Sequence, residues 1–340
     1  MPLLTERKKE ILNLIVGDYI RTAVPISSET IARMHTLGVS PATIRNDVAE
    51  LEEEGYITRP HQSAGSVPAD QGYRLYVESV GDTSAYRLPP RLQASIEKRL
   101  AEAAREVDEW TNVAAALLAG LVGNMAITTF PKARESRVKH IDLVRLQDYL
   151  AMLIFVLQEA RLRRQLIRLE DRVDLQSSAN KLNELLVGLT WRDIEAMELE
   201  LTPLEEEVVD SVVVILRDEE RTQYIGHYLD GLRNLLAQPE FAENEKVRAF
   251  VEDVEDGSLA QAVLDEAPDT GAIRVIIGQE NRGDVLWPLG VVIGRYGVAG
   301  EATGAVGAIG PVRMEYTKTI AGVELMARIM SQLVVSVHGG

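Results

Sequence analysis

Two adjacent side chains in the N-terminal quarter of the chain, Arg45 and Asn46, have the chemistry needed to read nucleic-acid bases. Arginine donates paired hydrogen bonds to a guanine edge or binds phosphate, and asparagine pairs with an adenine edge. Both residues belong to the segment VSPATIRNDVAELEEEGYI, residues 39–57. Their use as a reading surface requires that the neighbouring elements present them to solvent.

This segment predicts a short helix with one buried face. Ser40 is a favoured N-cap residue, and Pro41 follows at the first helical position, where its missing N–H is not needed. Gly55 is a typical residue just beyond a helix end. The apolar face has helical spacing and consists of Ile44, Val48 and Leu51. The opposite face, at the N-terminal end, carries Ala42, Thr43, Arg45 and Asn46.

A second capped helix lies directly upstream. Ser27 is its predicted N-cap, and the helix is expected to run to about Met34 and to stop near Gly38. Two short helices joined by a tight glycine turn are typical of a helix-turn-helix, whose second helix enters the major groove of DNA. A helical hairpin inside an ordinary core has the same pattern, so these helices alone leave both alternatives open.

The residues after Gly55 favour the DNA-binding interpretation. Tyr56-Ile57-Thr58 predicts a short strand, and PHQSAGSVPADQGYRLYVE, residues 60–78, predicts a loop followed by a second strand or a helix. This order is typical of the wing of a winged helix. The predicted DNA contacts are Ser27, Ser28, Ser40, Ala42, Thr43, Arg45, Asn46, Arg59, His61 and Ser66.

The overall charge opposes this interpretation. The 340 residues carry a net charge of −16, whereas a nucleic-acid-binding protein usually has a basic surface. Residues 1–77 hold eight Lys and Arg against ten Asp and Glu, so this part is closer to neutral than the remainder. Three of the acids, Glu52, Glu53 and Glu54, lie at the helix end that points away from the groove. We therefore expect modest intrinsic DNA affinity and a contribution from dimerisation.

The composition gives no support to an enzyme. The chain has no cysteine, and it lacks the nucleophile elbow G-x-S-x-G and the phosphate loop G-x-x-x-x-G-K-[ST]. None of its five histidines lies three or four residues from another: His35, His61, His140, His227 and His338. No catalytic residue, cofactor or metal is therefore predicted.

The same composition predicts a cytoplasmic protein. No uninterrupted apolar run reaches the length of about 18 residues that a membrane span requires. The N-terminal segment MPLLTERKKEILNLI is charged and amphipathic, unlike an export signal. We therefore expect no membrane partner.

The rest of the chain alternates between helical and strand periods. Helices are predicted over 91–122, 175–189, 203–236 and 314–337, and strands over 138–146, 150–158, 162–169, 273–277, 286–293 and 305–309. Residues 137–169 predict a β-meander, and Gly304, Gly307 and Gly310 are expected at turns. This order fits an α+β domain whose sheet is split by a mostly helical insert.

Three separated motifs resemble one bacterial family, the heat-inducible transcription repressors HrcA. They are GYI-x-x-PH-x-SAG-x-x-P-x-x-x-GYRLYV at 55–77, YLDGLRNLLAQPEF at 228–241 and GAVGAIGPVRMEYTKTIAGVE at 304–324. The chain departs from the family pattern in the wing, where Ser66 replaces an arginine and Ala69 a threonine.

The resemblance implies an α+β multidomain fold, with an N-terminal winged helix-turn-helix and a GAF-like α+β domain interrupted by a mostly helical inserted dimerisation domain. The expected parts are the winged helix over 1–80, a linker over 81–91, the GAF-like domain over 92–190 and 273–340, and the insert over 191–272.

The resemblance also implies the partners. A homodimer is expected to bind double-stranded DNA at an inverted-repeat operator, the CIRCE element ahead of chaperone operons. The chaperonin GroEL is expected to keep the repressor in its active fold. The second hypothesis is a small-molecule-responsive regulator, in which the GAF-like domain binds a metabolite that changes operator affinity.

Overall fold

The chain forms two compact units in a computed structural model. The structure describes residues 4–35, 37–61, 64–81, 87–103, 107–133, 135–157, 162–169, 173–221, 226–242, 244–268, 272–282, 286–298 and 302–338. Unit 1 comprises Met1–Thr129, His227–Tyr296 and Ala305–Leu333, and unit 2 comprises Phe130–Gly226, Gly297–Gly304 and Val334–Gly340.

Helices and strands alternate along the described chain. The helices are α1 Glu6–Thr22, α2 Ser28–Met34, α3 Pro41–Glu53, α4 Asp70–Gly81, α5 Pro90–Glu102, α6 Val107–Val122, α7 Leu175–Leu186, α8 Trp191–Glu195, α9 Pro203–Arg221, α10 Leu232–Leu236, α11 Asn244–Glu255, α12 Ser258–Asp265 and α13 Tyr316–His338. The strands are β1 Ile57–Thr58, β2 Val67–Pro68, β3 Met125–Thr129, β4 Lys132–Ala133, β5 Val138–Gln147, β6 Leu150–Leu157, β7 Leu162–Arg168, β8 His227–Asp230, β9 Ile273–Ile277, β10 Leu289–Gly297 and β11 Ala302–Pro311.

Unit 1 begins with a winged helix built from α1 to α4 and the antiparallel pair β1–β2. Of the two options for the end of the wing motif, the structure has the helix, α4. The buried apolar residues of the first three helices line the core of the winged helix and are Ile11, Leu12, Ile15, Val16, Ile20, Ile31, Ile44, Val48 and Leu51. Their spacing of three and four residues explains why these segments are helical.

Unit 1 also carries a sheet with the strand order β8-β3-β11-β10-β9. Strand β3 pairs antiparallel with β8 on one side and with β11 on the other. Trp110 of α6 and Tyr296 of β10 are buried, and their rings meet edge to face with centroids 5.9 Å apart. This contact packs α6 onto the sheet. The fold is therefore α+β, with an N-terminal helix-turn-helix and a sheet in the C-terminal part.

All three glycines of the GAVGAIG segment, residues 304–310, lie inside strand β11, so the expectation of turns there is wrong. A Cβ atom at Gly307 would lie 3.0 Å from the carbonyl oxygen of Val292 on β10. A Cβ atom at Gly310 would lie 2.8 Å from the side chain of Asn124. Both glycines allow close packing within the sheet.

Unit 2 is built on the three-stranded antiparallel sheet β5-β6-β7, which is the predicted meander. Its buried face shares one hydrophobic core with α7 and α9, from Val138 to Leu216. Arg163 on β7 forms an ion pair with the buried Glu219 on α9. These contacts hold the helices on one face of the sheet.

The limits of unit 2 differ from those of the predicted insert. The segment that interrupts unit 1 is Phe130–Gly226, whereas the sequence predicted 191–272. The meander belongs with α7 and α9 because it shares their core, and β8 returns to unit 1 because it pairs with β3. Residues 82–86 of the predicted linker lie outside the described residues, and its last two residues, 90 and 91, belong to α5, which begins at Pro90.

We predict that Gly72→Ala destabilises the winged helix. Gly72 lies in the first turn of α4, where a Cβ atom would lie 2.2 Å from the carbonyl oxygen of Tyr56. The forced shift is expected to lower the free energy of unfolding by about 1–3 kcal/mol. Urea unfolding followed by circular dichroism measures the effect.

Gly17→Ala is the matched control for this variant. Gly17 is also helical, and a Cβ atom there meets nothing within 4 Å. Alanine is therefore expected to stabilise α1 by about 0.5–1 kcal/mol. Equal free energies of unfolding for the two variants would show that the close contact at Gly72 does not constrain the residue there.

Candidate nucleic-acid interface

Helix α3 exposes the side chains that the sequence predicts as base readers. The backbone N–H of Thr43 donates to the Ser40 hydroxyl at 3.2 Å, so the N-cap and the start of the helix are as predicted. Arg45 and Asn46 are exposed, whereas Ile44 is buried beside them. Ala42 is exposed and Thr43 is half-buried. The N-terminal half of α3 therefore presents a polar surface to solvent.

Helix α2 packs against α3. The N–H of Thr30 donates to the Ser27 hydroxyl at 3.1 Å, which caps α2. Ser27 is exposed and Ser28 half-buried. The Nε2 atom of His35, at the end of α2, lies 3.2 Å from the buried carboxylate of Asp18 on α1. Ser27 and Ser28 thus lie at the start of a helix whose far end is tied to α1.

Asp18 stays ionised at this contact. Burial raises the pKa of the Asp18 carboxyl, but hydrogen bonds with His35 and Arg21 outweigh burial and hold the pKa below its ordinary value. A charged Asp18 strengthens its bonds with both partners. The contact therefore fixes α2 against α1.

Helix α1 forms ion pairs with acidic residues on one side of α3 and at its C-terminal end. Arg7 donates two hydrogen bonds to the buried Asp47, from Nε at 2.7 Å and from a terminal nitrogen at 2.9 Å. Lys8 lies 2.7 Å from a carboxylate oxygen of Glu50 and 2.8 Å from one of Glu54. These hydrogen bonds raise the pKa of the Arg7 guanidinium and of the Lys8 ammonium, so both remain charged.

Ion pairing in the winged helix leaves positive charge on the predicted DNA-binding face. Among the described residues of 4–81, the Lys and Arg residues that form ion pairs are Arg7, Lys8, Lys9, Arg21, Arg59 and Arg74. In the same residues, Arg33 on α2 and Arg45 on α3 are exposed and form no ion pair. The pattern of ion pairs thus decides which cations are left free to bind a phosphate.

Arg33 is a candidate contact that the sequence analysis missed. The first helix of a helix-turn-helix crosses the DNA backbone, where an exposed arginine can bind phosphate. Ile31, two residues earlier, is fully buried, and the helical period turns Arg33 away from that side. The position of Arg33 on the helix face opposite Ile31 was the signal available in the sequence.

The remaining predicted contacts lie in the wing and differ in their exposure to solvent. Arg59 and His61 are exposed beyond β1, and Arg59 lies 3.2 Å from Glu52 of α3. Ser66 is 2% exposed, so its prediction as a DNA contact is wrong. The backbone of Ser66 pairs with Ile26 in both directions, at 2.8 and 2.9 Å, and this bridge turns the residue inward.

The fold and this site define the class of the protein as a winged-helix DNA-binding transcription regulator. A family model described as a DeoR-like helix-turn-helix domain matches residues 26–69, and one described as the HrcA protein C terminal domain matches residues 108–320. The chain belongs to the HrcA family of heat-inducible transcription repressors, which confirms the resemblance seen in its motifs.

Curated relatives agree with this assignment, and a solved structure shares the fold. A heat-inducible transcription repressor HrcA of Dehalococcoides mccartyi is 38% identical, over 99% of this chain and 98% of the relative. One of Herpetosiphon aurantiacus is 35% identical, over 99% and 97%. A crystal structure of a hypothetical protein shares the fold, with a TM-score of 0.66 and 24% identity over 98% of this chain and 100% of that chain.

The family is one of repressors, so the prediction that the chain is not an enzyme is confirmed. Within the described part of the chain, no group of three or more His, Asp or Glu side chains is placed to hold a metal ion. One helix, over Tyr316–Ser336, is long and apolar enough to cross a membrane by length and composition, and half of it is buried inside the protein.

We predict that Arg45→Ala weakens specific DNA binding by about 1–3 kcal/mol, the contribution of one bidentate base contact. Arg248→Ala is the control, because it removes the same charge from an exposed position on α11. Gel-shift titrations at one salt concentration measure both affinities. An Arg45→Ala protein that binds as tightly as the control would remove Arg45 from the reading surface.

Proposed function

We propose that two copies of this chain bind the two halves of an inverted-repeat operator of the CIRCE type ahead of chaperone genes, and that GroEL maintains their DNA-binding form. The proposed site of action is the cytoplasm. The observation that carries the proposal is the exposed N-terminal half of α3, with Arg45 and Asn46 side by side. A symmetric operator follows from a symmetric dimer of such helices.

The outer face of the β5-β6-β7 sheet supports a dimer. Strand β6 is apolar on both sides, because its residues alternate between buried and half-buried along LAMLIFVL. Such a strand is typical of a sheet covered on both faces. On the outer face, Met152 lies between Val144 and Leu166, which are 37% and 60% exposed. Burying this row would remove apolar surface from water.

A second copy of the chain is the occupant that this face favours. The next cross-strand row reads Asp142, Ile154 and Arg164, with opposite charges on either side of an apolar centre. A two-fold axis along β6 would place each Asp142 opposite the partner's Arg164. This self-complementarity is what an isologous interface requires.

We predict that Leu166→Asp dissociates the dimer, because it buries an unpaired carboxylate in the proposed interface. The dimer dissociation constant is expected to rise at least about tenfold, which corresponds to about 1.4 kcal/mol. Sedimentation velocity over a concentration series measures it. Leu92→Asp is the control, since Leu92 is also exposed but lies on α5 of unit 1. A wild-type constant for Leu166→Asp would place the interface elsewhere.

The same surface gives the chaperonin a physical role. In a monomer the apolar row Val144, Met152 and Leu166 stays exposed. Exposed apolar surface makes a chain aggregation-prone and a target for chaperones. Chaperonin capture of monomers would raise the fraction that reaches the dimer. Unfolded proteins released by heat would compete for the chaperonin, lower the active repressor and allow chaperone genes to be transcribed.

Footprinting on inverted-repeat DNA tests the proposal. We expect the purified protein to protect both half-sites equally, and protection to increase with chaperonin and ATP. An excess of unfolded competitor protein should remove that increase. Protection of a single half-site would contradict the dimer, and protection that is indifferent to chaperonin would contradict its role.

A further inference from the structure

The winged helix is docked onto the sheet of unit 1 through helix α4. Arg74 donates from Nε to Glu280 at 2.7 Å and from a terminal nitrogen to the carbonyl oxygen of Val275 at 2.7 Å. The second oxygen of Glu280 accepts the backbone N–H of Ile277 at 2.9 Å. The arginine therefore binds an acceptor that the end of β9 already holds in place.

Asp70, at the start of α4, accepts a hydrogen bond from the same segment at the end of β9. Its carboxylate accepts the backbone N–H of Gln279 at 2.9 Å. Gly278 has a φ of +54°, and a Cβ atom there would lie 2.2 Å from an Asp70 carboxylate oxygen. Only glycine satisfies both the backbone conformation and this close approach.

A second point of contact lies on α1. Arg313, just after β11, donates to the carbonyl oxygen of Ile20 at 3.3 Å and to Gln238 at 2.9 Å. Between the two points, Tyr73 of α4 and Tyr316 of α13 are buried, with ring centroids 6.3 Å apart. Two polar contacts on different helices, with buried rings between them, oppose both sliding and pivoting of the winged helix.

These contacts are placed to determine which operators the dimer accepts. Only residues 82–89 connect α4 to α5 covalently, so non-covalent contacts must fix the orientation of α3 relative to the sheet. Two linked binding modules gain on the order of 100-fold in avidity when both sites are reached at once, and lose it when geometry forbids this. A firmly docked reading helix reaches the second half-site at one spacing only.

We propose that Arg74, Asp70 and Arg313 are specificity-determining positioning residues that set the half-site spacing of the operator. This inference rests on the proposed dimeric repressor. The contacts do not cover Arg45 or Asn46, which stay exposed in the docked form, so they act on geometry rather than on access to the bases.

The test compares full-length Arg74→Glu with the double variant Arg74→Glu/Glu280→Arg, which restores an opposite-charge pair. Binding is measured by fluorescence anisotropy on inverted repeats whose spacer is varied one base pair at a time through half a helical turn, and on a single half-site. Wild type should show one optimum, with affinity falling at least about tenfold half a turn away as avidity is lost. Arg74→Glu should flatten this profile to within about threefold and leave half-site affinity unchanged, because only the linkage has loosened.

The double variant should recover part of the optimum, because it restores the ion pair but not the hydrogen bonds with Val275 and Ile277, and a merely destabilised protein would recover none of it. Glu97→Ala is the control, because it removes an exposed ion pair between Glu97 on α5 and Arg328 on α13, which does not involve the winged helix. Should Arg74→Glu not fold, Asp70→Ala provides the same measurement, because it removes the acceptor of the Gln279 N–H. A wild-type spacing profile in Arg74→Glu, or an equal loss of affinity on the half-site, would overturn the inference. Wild type that binds the half-site without any spacing optimum overturns it too, whereas wild type that binds no inverted repeat overturns the proposed dimeric function itself.

Discussion

The DNA-binding surface depends on the ion pairs between α1 and α3. Arg7 and Lys8 bind Asp47, Glu50 and Glu54, so most of the negative charge of these three carboxylates is balanced within the protein. DNA phosphates then approach the face of α3 that carries Arg45, and not the face that carries the carboxylates. An Arg–carboxylate pair with two parallel hydrogen bonds also fixes orientation, so the same contact that balances charge sets the angle of α3. This is how a chain with a net charge of −16 presents a DNA-binding face.

Each part of the fold adds one constraint to that helix. The core of the winged helix buries one face of α3 and so determines which face stays exposed. The docking of α4 holds the winged helix on the sheet. The outer face of β6 is the surface of unit 2 that we propose binds a second copy. A repressor that reads two half-sites needs all three, because a correctly exposed helix held at the wrong angle would bind only one of them.

Local signals were sufficient for α3 and not for the sheets. The Ser40 cap, the stripe from Ile44 to Leu51 and Gly55 lie within 16 residues, and each acts on its neighbours in the chain. Strands β3 and β8 were missed because they are short and are strands only through pairing with each other and with β11. The compact units differ from the predicted limits of the insert for the same reason, since periodicity does not show which sheet a strand joins.

Ser66 and Arg33 show the same limit within the site. Ser66 belongs to a polar wing motif, and only its distant pairing with Ile26 buries it. The freedom of Arg33 from ion pairs within the described residues depends on which acids the other cations bind, which no local pattern shows. The alternative of a ligand-responsive regulator stays a prediction, since the polar groups of a binding site cannot be assembled from sequence.

The absence of cysteine makes the central claim directly measurable. A single cysteine at Ala42, which is exposed beside the reading face, can carry an iron chelate that cleaves DNA within reach of α3. The account predicts two symmetric cleavage clusters, one inside each half of the inverted repeat, and much weaker cleavage from the same chelate at Glu53 on the far end of α3. Equal cleavage from both positions, or none from position 42 on DNA that the protein protects, would show that α3 does not lie in the major groove.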